Sequence, residues 1–471
     1  MHKSEYYAYE EKRVKQEMDN YDIVIVGAGT SSTIAARFAA SNGLKVCLID
    51  AKKKEEIGNK VCGDVVLASI FNFLKIDPPQ GNEILSMKKF IKLYNSDLQD
   101  HLTINMPIYL VDRLRFGQKF LNDALDSGVA EFIDNSKVMD LTYKNGNVNG
   151  VTARLKTGEK VTINAKIVID GSGAHSIVRK KIKNEIIQNK ISKDDLVICY
   201  REILQFNDNV RPNIPTDSLT VVFDSDNIPG GYFWYFPKSD TIANQGLGVV
   251  LHQKSNLKQI YQNFVLNKFL STKNYKILSS GGDIVPIRRP LPSCADNGIM
   301  FIGDAGCHVN TSSGGGIHTG MKAGYYAAMI AKKAIEAEDY SLNELWDYNC
   351  LLMNDFGIGH ATNDVARLLL QHITTSDFNY IVKKKLIDDN ELTQMYYGKI
   401  ISPSIRQLVL KLFKGISKPK LLLKLNYLLK QMKQINQHYL QYPKNVSGYE
   451  SWREIENDMF NKIFLKITPK N

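Results

Sequence analysis

The sequence predicts an α/β protein, with a Rossmann-like nucleotide-binding domain at its N-terminal end and a helical C-terminal region. Three observations predict this. A buried-strand run, Y-D-I-V-I-V (Tyr21 to Val26), leads straight into G-A-G-T-S-S and an alanine-rich helical stretch, and a second strand, K-V-C-L-I-D, ends on Asp50. Much later, G-I-M-F-I-G-D-A-G precedes a triple glycine and another long helical pattern. From about Ser341 onward turn glycines thin out and helical periodicity dominates.

Composition narrows the class. A chain of 471 residues is too long for one simple core and implies two or three lobes. Hydrophobic content of 44% excludes wholesale disorder, while runs such as I-V-I-V at Ile23 to Val26 are far too short to cross a bilayer. The first nineteen residues are charged throughout and lack an apolar signal core, so residues 1–19 are expected to form a loose or helical extension and the protein to stay in the cytoplasm. Six cysteines without a C-x-x-C pair argue against zinc or an iron–sulfur cluster, and no metal is expected. The net charge of +11 is spread along the chain with no aromatic stacking platform, which suits an anionic lipid or phosphorylated substrate at least as well as nucleic acid, and no nucleic-acid partner is expected.

The first strand–turn–helix has a nucleotide-binding logic. Gly27 permits a tight turn, and Gly29 lets backbone N–H groups approach a pyrophosphate at the helix N-terminus, with Ala28 and Ser31 alongside. Ser32 takes the third fingerprint position, where glycine or alanine is usual, and adds a hydroxyl where helix and strand come closest. Asp50, followed by Ala51, lies about 20 residues downstream, where a ribose-binding acid belongs. The second glycine-rich element suits a flavin: Gly303-Asp304 can hold ribityl hydroxyls. Gly314, Gly315, Gly316 and Ile317 open a helix toward the N1/C2 edge, where reduced flavin is negative.

Pro229 to Pro237 read P-G-G-Y-F-W-Y-F-P. Alternation sends Tyr232, Trp234 and Phe236 to one face and Phe233 and Tyr235 to the other, so neither face is ordinary solvent surface. One face can pack on a core; the other must meet a helix, a partner or a ligand.

These stretches resemble the geranylgeranyl reductase family, flavoproteins of the p-hydroxybenzoate hydroxylase fold, and above all its archaeal members that saturate membrane-lipid isoprenoid chains. Five matching segments carry the resemblance: the G-A-G fingerprint with Asp50; G-N-K-V-C-G-D at Gly58 to Asp64; G-A-H-S-I-V-R at Gly173 to Arg179; G-G-Y-F-W-Y-F-P; and V-P-I-R-R-P-L followed by G-D-A-G. The resemblance implies FAD as cofactor and an antiparallel-sheet substrate domain roofing it. The FAD-binding domain would comprise residues 20–84, 107–192 and 285–340, the substrate domain 85–106 and 193–284, and the helical domain 341–471. It further implies that Cys62, Gly63, Asp64, Arg113 and Gly173 contact the flavin. Cys62 is the leading proton donor and His308 a second relay candidate. Tyr232, Trp234 and Phe236 would line a channel for a prenyl chain, and Arg288 and Arg289 would meet a phosphate or form a salt bridge. Two departures stand out: Ser172 where relatives often carry aspartate, with Asp170 as the nearest substitute, and Thr311 where proline is common.

The implied reaction is reduction of geranylgeranyl double bonds in isoprenoid lipids or geranylgeranyl diphosphate, with NAD(P)H or a ferredoxin-like carrier as electron donor. Two other readings compete: a flavin monooxygenase acting on a quinone or aromatic, and a flavin- and lipid-binding protein without turnover. In the C-terminal third, I-R-Q-L-V-L-K-L-F-K-G and K-P-K-L-L-L-K-L-N-Y-L-L-K-Q-M-K are helical, punctuated by Gly415 and Pro419. The second mixes leucines with lysines; packing on a neighbouring domain is the favoured reading, with peripheral contact on the inner membrane face as the addition a lipid substrate motivates.

Overall fold

The computed structural model describes residues 16–207, 214–251, 256–268, 274–400 and 415–467. Two eight-stranded sheets organise it. The first has a parallel centre. β1 (Gln16–Val26) runs between β2 (Val46–Ile49) and β9 (Lys160–Asp170), flanked by β6 (Glu131–Ile133) beyond β2 and β16 (Ile299–Phe301) beyond β9. Ile23, Val24 and Ile25 are all fully buried. A parallel strand covered on both faces needs no polar alternation, which is why the I-V-I-V run reads as continuous.

The strand begins earlier than the sequence suggests. Gln16, Glu17 and Met18 pair with Val161, Thr162 and Ile163, and the register shifts before Tyr21. Residues 16–19 therefore belong to the sheet and not to an extension; β9 is eleven residues long and offers pairing partners beyond the apolar run. Residues 1–15 lie outside the described set.

The second sheet takes the order β14–β10–β13–β12–β11–β4–β5–β3, antiparallel except where β11 (Leu219–Val222) pairs β4 (Ile84–Tyr94). Its centre is β12 (Tyr232–Pro237) against β13 (Ile242–Val250). β10 (Leu196–Phe206) and β14 (Tyr275–Pro286) complete one side, β5 (His101–Val111) and β3 (Val65–Leu67) the other. The sheet thus takes in residues 65–67 and 107–111, which the sequence reading assigned to the nucleotide domain. β5 holds an alternating buried pattern along its whole length, and an alternating strand does not break at a domain line.

Two helices connect these layers. α1 (Thr30–Ser41) follows the first glycine turn, and α3 (Ile317–Glu336) follows the triple glycine; between them in sequence, α2 (Arg113–Asp126) follows β5. At the α1–α3 crossing a Cβ on Gly324 would overlap the Ser31 carbonyl oxygen, and one on Gly320 the Ser31 hydroxyl. Glycine there lets the backbones meet, so both helix N-termini converge on the same space.

The C-terminal third is helical as read: α4 (Leu342–Leu352), α5 (Ile358–Leu370), α6 (Thr375–Lys384), α7 (Asp389–Tyr396), α8 (Pro419–Tyr439) and α9 (Tyr449–Ile467). α8 carries the leucine–lysine stretch. Its Leu428, Met432 and Ile435 join Val365, Leu369, Trp452 and Phe460 in one core, and Leu421 joins Phe378 and Ile381 in another. The helix packs inward, lysines outward. The other quoted segment falls on residues 405–414, outside the described set, apart from Gly415. Among the described residues no helix is long and apolar enough to cross a membrane.

Candidate active site

A cavity of about 360 Å3 opens between the two sheets. One end is walled by the turn at Gly29, Thr30 and Ser31, by Gly173, and by Gly303, Asp304 and the loop from Gly314 to Ile317. The other end is walled by the second sheet and by α7. The loop Lys60 to Val65 lies between them, with Cys62 facing the cavity.

At the nucleotide end, Gly27 adopts φ +89°, and a Cβ there would come within 2.7 Å of the Gly171 carbonyl oxygen. Gly29 is different: a Cβ would meet nothing within 4 Å, so no protein contact demands glycine, and the open space lies at the α1 N-terminus. Ala28 N–H donates to Asp50 Oδ2 at 2.5 Å and Lys52 N–H to Oδ1 at 2.7 Å, which fixes the acid at the end of β2, with Ala51 exposed beside it. Ser32 is buried and its hydroxyl has no hydrogen-bond partner. The absent Cβ of Gly171 makes room for it.

Arg113 is the most telling residue here. Its Nη2 donates to Thr30 Oγ1 at 2.9 Å, while buried Nε and Nη1 have no partner, although the residue lines the cavity. A buried guanidinium with idle donors is costly unless an acceptor enters. Asp304 binds Lys60 Nζ at 2.6 Å, and that carboxylate holds the Lys60 ammonium above its ordinary value. Two helix N-termini, two unused donors on a fixed arginine and an uncrowded glycine turn fit the pyrophosphate and ring of FAD.

At the other end the aromatic strand divides as alternation requires. Phe233 and Tyr235 sit in the core behind the sheet, whereas Tyr232, Trp234 and Phe236 cluster with Leu67, Ile104 and Tyr396 and line the cavity. Tyr232 donates its hydroxyl to the Ser313 carbonyl at 2.5 Å, joining this strand to the glycine-rich loop. Gly63 lies flat against Phe236, where a Cβ would come within 2.9 Å of the ring. Cys62 Sγ donates to Asp64 Oδ1 at 2.9 Å, and burial, reinforced by the Asp64 charge, pushes the thiol up to about 11.

Geometry bears on three expectations, and for the two arginines it takes the salt-bridge alternative. Arg288 points to Gln188 (2.9 Å) and Asp195 (3.6 Å), and Arg289 to Glu456 (2.5 Å) and Asp364 (3.1 Å), with its guanidinium 3.5 Å from the Phe460 ring centre. Neither lines the cavity; their partners are side chains of the protein itself, and Arg289 ties the segment after β14 to α5 and α9. His308 is fully buried beside Phe356, its Nε2 3.4 Å from Cys294 Sγ, and burial holds it neutral, down to about 3. It does not line the cavity, which speaks against a relay; His318 lines the cavity instead. Asp170, the nearest substitute for the missing aspartate, accepts from Ser172 N–H and Ser176 Oγ and serves the turn below the site.

The sequence reading also missed residues. Leu392, Met395 and Tyr396 of α7 close the apolar end from more than 150 residues away in sequence, and no local signal connects them to the aromatic strand. Lys60 and Thr30 lie inside the nucleotide-site motifs, and nothing in their local sequence marks them as site residues.

Fold and site together define a flavin-dependent oxidoreductase: residues 22–180 match the family model for FAD-dependent oxidoreductases. Residues 195–285, which carry β10 to β14 of the second sheet, match that for the geranylgeranyl reductase catalytic domain. The chain is 34% identical over 94% of its length to digeranylgeranylglycerophospholipid reductase of Sulfolobus acidocaldarius, covering 98% of it, and 31% identical over 76% to that of Methanocella arvoryzae, covering 89%. A solved geranylgeranyl bacteriochlorophyll reductase-like protein from Thermoplasma acidophilum superposes with TM-score 0.74 at 25% identity over 87% of this chain and all of the other. A flavin-dependent brominase shares the fold alone, with TM-score 0.64 at 17% identity over 85% of this chain and all of the other. The chain belongs to the geranylgeranyl reductase family, and FAD-dependent reduction of carbon–carbon double bonds is its chemistry.

Proposed function

We propose that this protein saturates the geranylgeranyl chains of isoprenoid lipids, or of their geranylgeranyl diphosphate precursor, with Cys62 as proton donor. One observation carries the reading: a single cavity joins the nucleotide end to an aromatic chamber, and the Cys62 thiol stands at the junction. The names of the curated relatives support the same substrate class.

When bound, reduced FAD supplies hydride from N5. The α1 N-terminus at Gly29 to Ser31 and Arg113 would hold its pyrophosphate, Asp50 its adenosine ribose, and Asp304 with the Gly314–Ile317 loop its ribityl and ring edge. A prenyl chain offers no hydrogen bonds, so Tyr232, Trp234 and Phe236 retain it by excluding water, at about 25 cal/mol per Å2 buried. An isolated trisubstituted alkene has no carbonyl to withdraw electrons, so hydride and proton must reach its two carbons together. Cys62 would deliver the proton, and the largely apolar walls would limit its delivery from bulk water.

The electron donor is read as NAD(P)H or a ferredoxin-like carrier, which anaerobic titration with each distinguishes. Access to a bilayer substrate implies peripheral contact with the membrane, but not through the apolar side of α8, which is packed inside. The reading is tested anaerobically: the protein is reduced chemically, given a geranylgeranyl lipid, and followed by mass for a gain of two hydrogens per saturated bond. Reduced flavin that persists beside intact lipid would overturn it, and oxygen-dependent hydroxylation would favour the monooxygenase.

A further inference from the structure

The Cys62 thiol is held by more than its own loop. Asp64 is buried at φ +60°; its Oδ1 accepts from Cys62 Sγ at 2.9 Å, and its N–H donates back to the sulfur at 3.3 Å. The other carboxylate oxygen receives Lys238 Nζ at 2.6 Å and Asn244 Nδ2 at 2.9 Å. Both come from the second sheet: Lys238 directly follows β12, and Asn244 pairs with Phe236 across β12–β13. Asn244 also donates to the Cys62 carbonyl at 2.8 Å and accepts from Trp234 Nε1 at 3.0 Å, so both its amide hydrogens and its oxygen are engaged. Asn244 is 0% exposed and Lys238 6%.

A hairpin does not need a buried ammonium, and apolar residues of similar volume often serve stability as well or better. Here the ion pair lies one hydrogen bond from the thiol that faces the cavity. The same asparagine pins the Trp234 wall to the Cys62 loop.

We propose that Lys238 and Asn244 are positioning residues for the reducing site, Asn244 fixing Asp64 and Trp234 in register and Lys238 resupplying through Asp64 the proton that Cys62 gives up. This rests on the reading of Cys62 as proton donor. In each turnover the S–H bond breaks as a C–H bond forms on one alkene carbon, while the other carbon receives the hydride from reduced FAD. The Cys62 thiolate left behind is reprotonated through Asp64: the carboxylate accepts a proton from the Lys238 ammonium and passes it to the sulfur, and the amine recovers a proton from water at the β12–β13 hairpin. The charged groups facing Cys62 are Asp64 and Lys60 from its own loop and Arg113 at the start of α2. Asp64 opposes the thiolate, so its neutralisation by Lys238 is what makes proton loss from sulfur tolerable.

Two readouts test this in the FAD-loaded protein. Alkylation of Cys62 by iodoacetamide at neutral pH, followed peptide by peptide by mass spectrometry, should slow about tenfold in Lys238→Met and quicken in Asp64→Asn. A merely structural role would loosen the site and quicken both. Lipid reduction by Lys238→Met should lose about tenfold in kcat with KM unchanged, and Lys238→Arg, which keeps the charge but cannot give up a proton, should restore the alkylation rate and leave kcat low. Should either single variant fail to fold, the Asp64→Asn/Lys238→Met pair, which leaves no unpaired buried charge, should alkylate faster than wild type yet turn over slowly. Cys62→Ala separates the two levels. If it reduces lipid at the wild-type rate, the reading of Cys62 falls; if it is inactive while Lys238→Met keeps wild-type alkylation and kcat, the role of Lys238 falls.

Discussion

Where the cavity meets the first sheet its wall is mostly backbone, from Gly29, Gly173, Gly303 and the Gly314–Gly316 loop; where it meets the second sheet its wall is side chain, from Trp234, Phe236, Ile104 and Tyr396. The contrast follows from the ligands. A dinucleotide presents phosphate oxygens and hydroxyls, which helix N-termini and backbone N–H groups recognise at close range. A hydrocarbon presents only surface, and only side-chain area can match it. The backbone end should therefore fail abruptly when a single Cβ is added, and the side-chain end by degrees.

The largest effect is expected at the α1–α3 crossing. Gly324→Ala puts a methyl into the Ser31 carbonyl, backbone against backbone, with no flexible side chain to yield. The cost should exceed about 4 kcal/mol, the range reserved for gross packing failures. The purified variant should carry no flavin absorbance, and retention of stoichiometric FAD would show that the helices can part without losing the site.

Next come two arginines that sequence alone treats alike. Arg289 pairs with Glu456 and Asp364, so Arg289→Met takes the arginine from buried Glu456 and leaves Asp364 to Arg367 alone; it should cost about 3–5 kcal/mol of stability, read by denaturant unfolding, with FAD affinity unchanged in whatever remains folded. Arg113 is unsaturated, so Arg113→Met should do the reverse: FAD affinity falls by about 1.5–3 kcal/mol, the worth of a hydrogen bond to a charged group, and the melting point of the flavin-free protein holds or rises. Equal effects of the two variants on FAD binding would erase the distinction between a structural and a ligand-facing guanidinium.

This difference also marks what was legible in the sequence. The β-α-β unit, Asp50 and the triple-glycine loop could be read because a backbone site is local: its glycines sit at fixed offsets beside the strand and helix they join. The facing of Tyr232, Trp234 and Phe236 was readable for a similar reason, since a strand alternates. Arg288 and Arg289 misled because a guanidinium reads identically whether its acceptor is phosphate or Glu456, 167 residues away. His308 misled because proximity in sequence to Asp304 says nothing of the direction in which its ring turns. Lys238, Asn244 and the α7 residues were invisible for the opposite reason: their importance comes from the partner across the cavity, which only the tertiary pairing of β12, β13 and the Cys62 loop creates.

The buried histidines sharpen the comparison by pH. Burial lowers His308 and His360 to about 3 each, well below the 6.5 that an exposed imidazole shows. The sign follows from linkage: below that value the unfolded chain takes up protons that the folded protein refuses, so stability is lost as pH falls. Each group should contribute about 1.4 kcal/mol per pH unit between roughly 6.5 and its folded value. Unfolding free energy measured from pH 7 to 5 should slope accordingly, and His308→Gln should flatten the slope by close to one proton. An unchanged slope would mean that His308 is charged in the fold and in contact with water.

The smallest effect is expected on α8, where a lipid-facing role and a packing role make opposite demands on one residue. Leu423 is 70% exposed, while Leu421 and Leu428 on the same helix are 2% and 4% exposed. Were the helix a membrane blade, its apolar side would face outward and Leu423 would sit at its centre. Instead the buried leucines fill two cores, and Leu423 stands nearly alone among lysines. Leu423→Ser should therefore shift stability by no more than about 0.5 kcal/mol and leave co-sedimentation with anionic vesicles unchanged. Weaker vesicle binding with intact stability would move the membrane contact onto this helix and make the route by which lipid enters the chamber a property of the C-terminal region.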